Sequence, residues 1–481
     1  MLFNSFEFAF FFAVVYTAYL FLNKRLRLQN ALLLAASCVF YGAWSWKFLL
    51  LLFVSAWIDY YAALRISRCT EAPARKFWLT ASMVSNLSIL GLFKYFTFFA
   101  GNFREVFLWF GFSRTPEFVM NIILPLGISF YTFQSMSYAI DVYRGKLKPV
   151  SRYNDFLLFV MFFPQLVAGP IERATHLLPQ VLQKRHLSLG KFSEGAYLIL
   201  WGLFQKTVIA DQLAAIVNPV FISGGPYHPG EVLLAIYAFS FQILCDFSGY
   251  SNIARGLGKM MGFDIMENFR WPYFAVNPSD FWQRWHISLS SWLKDYLYVP
   301  LGGNRQGTLL TYRNLFLTML LGGLWHGAAW TFIVWGAYHG ILLIGHRLFV
   351  QVFKPSLPNW PANDLRMKVW TIVRMLCFYH LVCLGWLFFR AQSMGQVFEM
   401  LASFGHLGPD TANLIFLKEA VIAALLIVPL LVFQLWQYQK NDLYPFFKWH
   451  WLPRGTFYGM LLIGLVVFAA GGANEFIYFQ F

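Results

Sequence analysis

The sequence predicts an all-α polytopic membrane protein, with about ten transmembrane helices and with re-entrant or interfacial helices that form a central funnel or tunnel. Of the 481 residues, 58% are hydrophobic and 20% are aromatic, whereas only 12% are charged. The mean hydropathy of +0.54 also lies well above that of an ordinary soluble domain. No internal repeat divides the chain, so we expect a single membrane domain that covers residues 1–481.

Ten segments approach the roughly 20 apolar residues that a helix needs to cross a bilayer. They are residues 6–22, 30–46, 47–64, 77–100, 121–140, 193–217, 231–250, 370–390, 413–433 and 456–472. The first segment is expected to stay in the protein as a span and not to be a cleaved signal peptide. No basic region precedes it, and the basic run Asn23–Arg27 follows it.

The distribution of basic residues predicts the orientation of these spans. Cytoplasmic loops carry an excess of Lys and Arg, and most of the 37 lysines and arginines fall in the loops that would lie inside. The opposite loops hold only Lys47, Arg104, Arg114 and Arg390. Both termini are therefore expected to face outward. The net charge of +15 follows from this topology and from attraction to anionic lipid headgroups, so it requires no nucleic-acid partner.

Three polar stretches must then enter the membrane from the inside without crossing it. They are residues 154–171, 277–301 and the hairpin 311–346, whose apex is the turn Trp325–Gly327. Gly322, Gly323 and Gly327 are expected to interrupt the helix there. Broken backbone at membrane depth is tolerated only inside protein or beside a wet cavity, so the turn is expected at the floor of the funnel.

His326, at the apex of that hairpin, is the first candidate catalytic residue. A buried imidazole is expected to be neutral, and a neutral imidazole can accept a proton from a hydroxyl as a general base. A lone histidine in such a turn would more often donate to a carbonyl and pack. The glycines and a second histidine, His286, favour catalysis for His326. For His286 a catalytic and an interfacial interpretation are nearly balanced, because Arg284 and Lys294 make its segment amphipathic.

Two other polar positions are weaker candidates. Asp246 could orient a histidine, but a structural ion pair with Arg255 or Lys259 is the better interpretation on general grounds. The pair Asn304–Arg305 follows a flexible glycine-containing turn and could contact the phosphates of a ligand, although the motif is short and unspecific. The spacing of Cys and His suggests no metal site.

Five motifs follow one another along the chain. They are Phe163–Arg173 (FPQLVAGPIER), Asp246–Ser251 (DFSGYS), Phe281–Ser290 (FWQRWHISLS), Asp295–Asn304 (DYLYVPLGGN) and Leu321–Gly327 (LGGLWHG). Together they resemble the membrane-bound O-acyltransferase family, and in particular its bacterial branch of alginate and peptidoglycan O-acetylation membrane proteins. The resemblance runs from the first span nearly to the last. It implies that His326, in the Trp-His-Gly turn, is the catalytic histidine and that His286 is the second motif histidine.

The resemblance implies an O-acetyltransferase of the bacterial inner membrane with both termini in the periplasm. The implied donor is acetyl-CoA, which is not bound permanently and enters from the basic cytoplasmic face. The acetyl group would pass through the protein to a periplasmic SGNH-type acetyltransferase and then to an extracytoplasmic polysaccharide, either an alginate-like exopolysaccharide or peptidoglycan. In the simplest mechanism His326 deprotonates the acceptor hydroxyl while nearby donors hold the oxyanion. A covalent acyl-histidine is the alternative.

The outward-facing aromatic tail, residues 473–481, contains a candidate acceptor, Tyr478. The tail resembles the carboxy-terminal tyrosine motif of the small partner protein in teichoic-acid D-alanylation. On this interpretation Tyr478 receives the acetyl group as an ester. An interfacial anchor is an equally weighted interpretation, because Tyr and Phe are common where a span ends.

Two other functions fit parts of the sequence. A transporter with a midplane binding site would also contain broken helices, but it should show related halves, and none is visible. A protein or lipid O-acyltransferase of the same family is the second alternative, and the bacterial-type motifs argue against it.

Overall fold

The computed structural model describes residues 1–111, 123–353, 361, 364–405, 414–468 and 476–477. All regular secondary structure in these residues is helical, as the sequence predicts. The α-helices are α1 (Phe6–Phe21), α2 (Leu26–Arg68), α3 (Ala72–Leu90), α4 (Phe96–Trp109), α5 (Ile128–Tyr143), α6 (Tyr153–Met161), α7 (Ala174–Leu182), α8 (Leu189–Phe204), α9 (Asp211–Ile222), α10 (Pro229–Met260), α11 (Pro278–Arg284), α12 (Ile287–Leu293), α13 (Thr308–His326), α14 (Trp330–Phe353), α15 (Leu365–Arg390), α16 (Met394–Ser403), α17 (Leu414–Lys440) and α18 (Trp451–Phe468). Wider π-helical turns occur at Gly91–Tyr95, Gln205–Ala210 and Lys294–Tyr298.

Seven helical stretches among the described residues are long and apolar enough to cross a membrane, so the chain is a multi-pass membrane protein. They are Leu26–Arg68, Ala72–Trp109, Pro229–Met260, Trp330–Phe353, Leu365–Arg390, Phe416–Lys440 and Trp451–Phe468. The ten predicted spans and the central funnel remain predictions. The count differs partly because α2 joins two predicted spans across a kink at Ser45, which has φ −159° and ψ 112°.

Contacts between residues divide the chain into two compact units. The first comprises Met1–Ile199 with Ser251–Met266, and the second comprises Leu200–Tyr250 with Glu267–Phe481. Helices α8 and α10 contribute residues to both units. The prediction of a single domain stays a prediction.

In the first unit, α2 packs against α3, α5 and α6. Asp59 of α2 is fully buried, and its Oδ1 accepts hydrogen bonds from Ser82 at 2.5 Å and from Asn86 at 2.7 Å. These donors come from α3, so the polar contact fixes how the two helices meet. The chain after α6 is irregular yet buried, which agrees with the expectation that broken backbone in residues 154–171 is enclosed by protein.

In the second unit, α13 and α14 form a tight helical hairpin. Gly323 lies against the carbonyl oxygen of Phe332, and a Cβ at Gly323 would come within 2.9 Å of the Cα of Gly336. The helix continues through Gly322 and Gly323 as far as His326. The expectation that the glycines interrupt the helix is therefore wrong for Gly322 and Gly323, which allow close helix packing, and is confirmed for Gly327, at which the helix ends.

The second helix of this hairpin, α14, also has the length and apolar character of a membrane span. At about 1.5 Å of rise per residue, its 24 residues extend over about 36 Å. From the sequence, the whole hairpin is expected to enter the membrane without crossing it. The helix bounds do not support this expectation, because α14 is long enough to cross.

Candidate active site

His326 is the last residue of α13, and its side chain is enclosed by aromatic rings. Only 5% of the residue is exposed. Its ring centroid lies 5.0 Å from that of Trp325, 5.1 Å from Trp335 of α14 and 5.3 Å from Phe389 of α15, each in an edge-on arrangement. The imidazole therefore sits in a box of aromatic side chains contributed by three helices.

The glycine after His326 is required by the same close packing. The helix ends at Gly327, which is extended, with φ −161° and ψ 152°. A Cβ at this position would overlap the ring of Phe332. The Trp-His-Gly sequence thus places an imidazole at the helix terminus and lets the returning helix approach directly beneath it.

His286, on the turn between α11 and α12, lies beside His326 in the same unit. The two ring centroids are 6.4 Å apart, and the rings are inclined by 61°. His286 is fully buried and has a left-handed backbone conformation, with φ 44° and ψ 54°. Positive φ is uncommon for a residue with a side chain and is often found at functional sites. The structure therefore brings together the two histidines that the sequence analysis selected.

Asn268 fixes the orientation of His286. Its Oδ1 lies 3.1 Å from Nδ1 of the imidazole and also accepts hydrogen bonds from the backbone N–H of Ser288 at 3.2 Å and from the Ser288 hydroxyl at 3.0 Å. An oxygen acceptor requires that Nδ1 carry the proton, which makes Nε2 the basic nitrogen. Burial lowers the pKa of His286 from 6.5 to about 3, so its imidazole is neutral at physiological pH.

A third histidine, His339, was missed by the sequence analysis. It is fully buried one helical turn after Trp335, and its ring stacks on Phe281 at 6.0 Å with an interplanar angle of 6°. Its centroid lies 4.8 Å from Trp335 and 5.1 Å from Trp282. Neither ring nitrogen has a hydrogen-bond partner among the described residues. The four-residue spacing of Trp335 and His339 puts both rings on one helix face, and this spacing could have indicated His339 from the sequence.

The contacts of Asp246 differ from those expected. Its Oδ1 lies 2.7 Å from Nζ of Lys206, and its Oδ2 accepts a hydrogen bond from the backbone N–H of Ile477 at 2.8 Å. The expected pairing with Arg255 or Lys259 is wrong. Lys206 lies within a predicted span, and a buried lysine there needs a carboxylate partner. That rule could have drawn attention to Lys206 from the sequence, but it does not identify the partner.

The other candidates lie elsewhere. Asn304 and Arg305 are exposed on the turn after the π-helical residues 294–298, and neither lines the two cavities described below. Tyr478 lies outside the described residues. The two residues before it, Phe476 and Ile477, are described and are 1% and 5% exposed.

A cavity of about 860 Å³ lies near the buried histidines, although none of His286, His326 and His339 lines it. Its apolar wall includes Trp282, Ile287 and Met319, and its cationic side chains are Lys294 and Arg347. Ile287 directly follows His286, and Trp282 touches both Trp335 and His339. The cavity therefore suits an elongated ligand with an apolar part and an anionic part.

A second, polar cleft of about 610 Å³ meets the first at Gln283, which lines both. The cleft contains Arg270 and Arg284, whose guanidinium groups pair with Glu267 at 2.8 Å and Asp280 at 2.6 Å. Groups of three or more His, Cys, Asp or Glu that could hold a metal ion are absent from the described part of the chain. The neighbouring cavities thus offer cationic and aromatic contacts.

These features define a polytopic membrane protein with a buried pair of imidazoles, of which His286 is neutral at physiological pH, near an amphiphilic cavity. Such a site can accept and return a proton in an environment from which water is largely excluded. It is suited to moving a group between a bound donor and a hydroxyl acceptor.

Sequence comparisons identify the family. A model of the membrane-bound O-acyltransferase family matches residues 45–388. Over 409 residues the chain is 43% identical to the probable alginate O-acetylase AlgI of Pseudomonas aeruginosa, with 84% of this chain and 75% of that protein covered. Over 493 residues it is 33% identical to the peptidoglycan O-acetyltransferase of Helicobacter pylori, with 93% and 91% covered. The chain belongs to the membrane-bound O-acyltransferase family and is an O-acyltransferase.

A more distant relative transfers a different acyl group. The teichoic acid D-alanyltransferase of Bacillus subtilis is 29% identical over 290 residues, which cover 56% of this chain and 70% of that protein. Its name describes an acyl transfer to a cell-envelope polymer. The relatives therefore share the reaction class and differ in acyl group and acceptor.

Proposed function

We propose that this protein transfers an acetyl group from a cytoplasmic thioester to an extracytoplasmic polysaccharide of the alginate-like or peptidoglycan type. The observation that carries this proposal is the buried pair His326 and His286, with 6.4 Å between ring centroids, beside a cavity suited to an amphiphilic donor. The names of the 43% and 33% identical relatives support acetyl as the group transferred and a polysaccharide as the acceptor.

The donor is acetyl-CoA, and the amphiphilic cavity is its binding site. The distribution of basic residues favours a cytoplasmic position for the start of α13 and the end of α14. Lys294 and Arg347 then lie where phosphate groups would enter, and Trp282 and Met319 lie deeper, where an acyl-pantetheine arm would extend.

In the reaction, His326 acts as the general base. The acceptor oxygen attacks the thioester carbonyl carbon and its proton moves to the imidazole. The C–O bond forms, the C–S bond breaks, and the proton passes to the departing thiolate. Arranging base, donor and acceptor in a dry site supplies orientation and base catalysis together. His286, whose Nε2 is basic, contributes a second polar contact beside the reacting groups.

The first acceptor is Tyr478 in the outward-facing tail. Its phenol takes the acetyl group as an ester and passes it to a periplasmic SGNH-type acetyltransferase, which acetylates the polysaccharide. The described tail residues Phe476 and Ile477 are buried in the second unit, which also contains both histidines, and this burial supports a tail that enters the protein. On this scheme the protein lies in the bacterial inner membrane with both termini in the periplasm, and its histidines face an outward funnel.

The base is tested by replacing His326 with Ala in protein reconstituted with labelled acetyl-CoA. We expect acetyl transfer to fall by about 10²- to 10⁴-fold, the usual contribution of general-base catalysis. His450→Ala, which changes an exposed histidine, is the control and should keep full activity. Transfer at the wild-type rate in His326→Ala would show that His326 is not the general base.

The acceptor is tested by mass spectrometry of the tail after incubation with labelled acetyl-CoA. We expect one acetyl group on Tyr478 in the wild type and none in Tyr478→Phe, which keeps the aromatic ring and lacks the hydroxyl. The control Tyr458→Phe removes a phenol from α18 and should acetylate normally. Polymer acetylation at the wild-type rate in Tyr478→Phe would disprove the relay.

The donor site is tested by reversing charge at Arg347. Arg347→Glu should raise KM for acetyl-CoA by about tenfold or more, since the loss of one charge-assisted phosphate contact has this effect. It should leave KM for acetyl-pantetheine, which lacks the nucleotide phosphates, nearly unchanged. Arg27→Glu makes the same charge change on an exposed residue and should alter neither KM. Equal effects on both donors would contradict phosphate recognition at Arg347.

A further inference from the structure

A buried carboxylate of α10 holds the carboxy-terminal tail by its backbone. Asp246 is 3% exposed, and its Oδ2 accepts the N–H of Ile477 at 2.8 Å. Ile477 is itself part of the apolar core of the second unit. The tail is therefore attached by a charge-assisted hydrogen bond that does not depend on the identity of the tail side chain.

Lys206 neutralises this carboxylate and also contacts the tail. Its Nζ lies 2.7 Å from Oδ1 of Asp246, 2.9 Å from Oδ1 of Asp211 and 4.7 Å from the ring centroid of Phe476. Lys206 comes from the π-helical turn Gln205–Ala210, and such turns are frequent at functional sites. A purely structural ion pair would need only one carboxylate oxygen for the lysine. Here the second oxygen is used for the tail.

The neighbouring residues of α10 connect this attachment to the histidines. Tyr250, one helical turn after Asp246, meets Phe476 edge-on at 4.9 Å. Phe247, the residue after Asp246, meets His286 edge-on at 4.6 Å. One turn of α10 therefore contacts both the tail, at Phe476, and His286. The tail is held close to the site in which acyl transfer is proposed.

We propose that Asp246, with Lys206, is a positioning residue that docks the tail so that Tyr478 is presented to His326. The inference rests on the proposed function, because it assigns a use to the acceptor Tyr478. The anchored amide belongs to the residue immediately before Tyr478, and consecutive Cα atoms are about 3.8 Å apart. An acceptor group in the residue next to a fixed amide would have a raised effective concentration at the site.

The attachment itself is tested by hydrogen exchange, which does not depend on catalysis. In the wild type the Ile477 amide should be protected, and Asp246→Asn should speed its exchange by about tenfold or more, as expected for loss of a hydrogen bond to a charged group. Asp442→Asn is the matched control, because Asp442 also accepts a backbone N–H and a lysine ammonium. Equal exchange of the Ile477 amide in the wild type and Asp246→Asn would overturn the proposal.

The positioning role is tested by the rate of Tyr478 acetylation. Asp246→Asn should slow kcat by about tenfold or more and leave KM for acetyl-CoA unchanged, because only acceptor placement is lost. Ile477→Pro removes the same hydrogen bond from the tail side and leaves the buried ion pair intact, with Ile477→Val as its control. This second variant keeps the test decisive if Asp246→Asn does not fold.

A double-mutant cycle separates positioning from a general structural role. If Asp246 acts through the Ile477 amide, Asp246→Asn combined with Ile477→Pro should be no slower than either single variant. If the two substitutions instead reduce the rate independently, so that their fold-reductions multiply in the double variant, Asp246 does not act through the Ile477 amide. If the wild type carries no acetyl group on Tyr478, the relay fails, whereas the exchange experiment still decides whether Asp246 holds the tail.

Discussion

His286 shows how a single residue combines an unusual backbone with a defined tautomer. His286 has a left-handed conformation at the start of α12, and its Nδ1–H donates a hydrogen bond to Oδ1 of Asn268 at 3.1 Å. The asparagine is in turn held by the backbone and hydroxyl of Ser288. Three hydrogen bonds on one amide oxygen therefore orient Nε2, the nitrogen available for chemistry.

The buried His286 should make stability depend on pH. Burial lowers the folded pKa to about 3, so below pH 6.5 the unfolded chain binds a proton that the folded protein excludes. The associated stability is complete above pH 6.5 and decreases as the pH falls toward 3. When the pH falls from 7.5 to 5, the free energy of unfolding of the wild type should decrease by about 2 kcal/mol more than that of His286→Asn. Unfolding free energies of both proteins, measured in one detergent at the two pH values, provide the check, and identical losses would contradict it.

His339 gives a different prediction, because its ring nitrogens have no hydrogen-bond partner among the described residues. Burying a polar group without a partner is unfavourable, and an apolar group of similar shape removes that penalty. His339→Phe should therefore raise the unfolding free energy by about 1 kcal/mol. Thermal unfolding measures the change, with His450→Phe, at an exposed histidine, as the control. Destabilisation would mean that the imidazole has a partner in the membrane-embedded protein.

At the scale of elements, the α13–α14 hairpin sets the position of His326. Gly323→Ala would press a methyl group against Phe332 and Gly336, and overpacking of this kind usually costs about 1–3 kcal/mol. Because His326 lies three residues further along α13, acetyl transfer should fall as well. Gly345→Ala, in α14 with open space around its Cα, is the control and should be neutral or slightly stabilising. Normal stability and activity in Gly323→Ala would show that the helices can separate without moving the site.

The same elements show what the sequence could and could not predict. Hydropathy located the apolar helices, and the border between predicted spans 30–46 and 47–64 falls at the Ser45 kink. Glycines were interpreted as helix breakers, whereas Gly322 and Gly323 are helical. Local propensity cannot distinguish a glycine that breaks a helix from one that admits a neighbouring helix, because the difference lies in tertiary packing.

For the whole molecule, the motifs located His326 and His286 but not the residues that support them. Asn268 contacts His286, His339 packs against Trp335 and Lys206 pairs with Asp246, and a single sequence does not show such pairings. Lys206 carried a signal, since a lysine inside an apolar segment requires a partner. The identity of that partner, Asp246, became clear only from the distance of 2.7 Å between Nζ and Oδ1.

The orientation of the chain determines which cavity the donor can reach, and it can be measured directly. The charge distribution predicts that Glu7 lies outside and that Gln306, between α12 and α13, lies inside. After replacement of the five native cysteines, Glu7→Cys should react with a membrane-impermeant maleimide in intact cells. Gln306→Cys should react only after permeabilisation. Both positions are exposed, so burial does not account for a difference. Labelling of Gln306→Cys from outside would reverse the topology and would place the cavity with Lys294 and Arg347 out of reach of cytoplasmic acetyl-CoA.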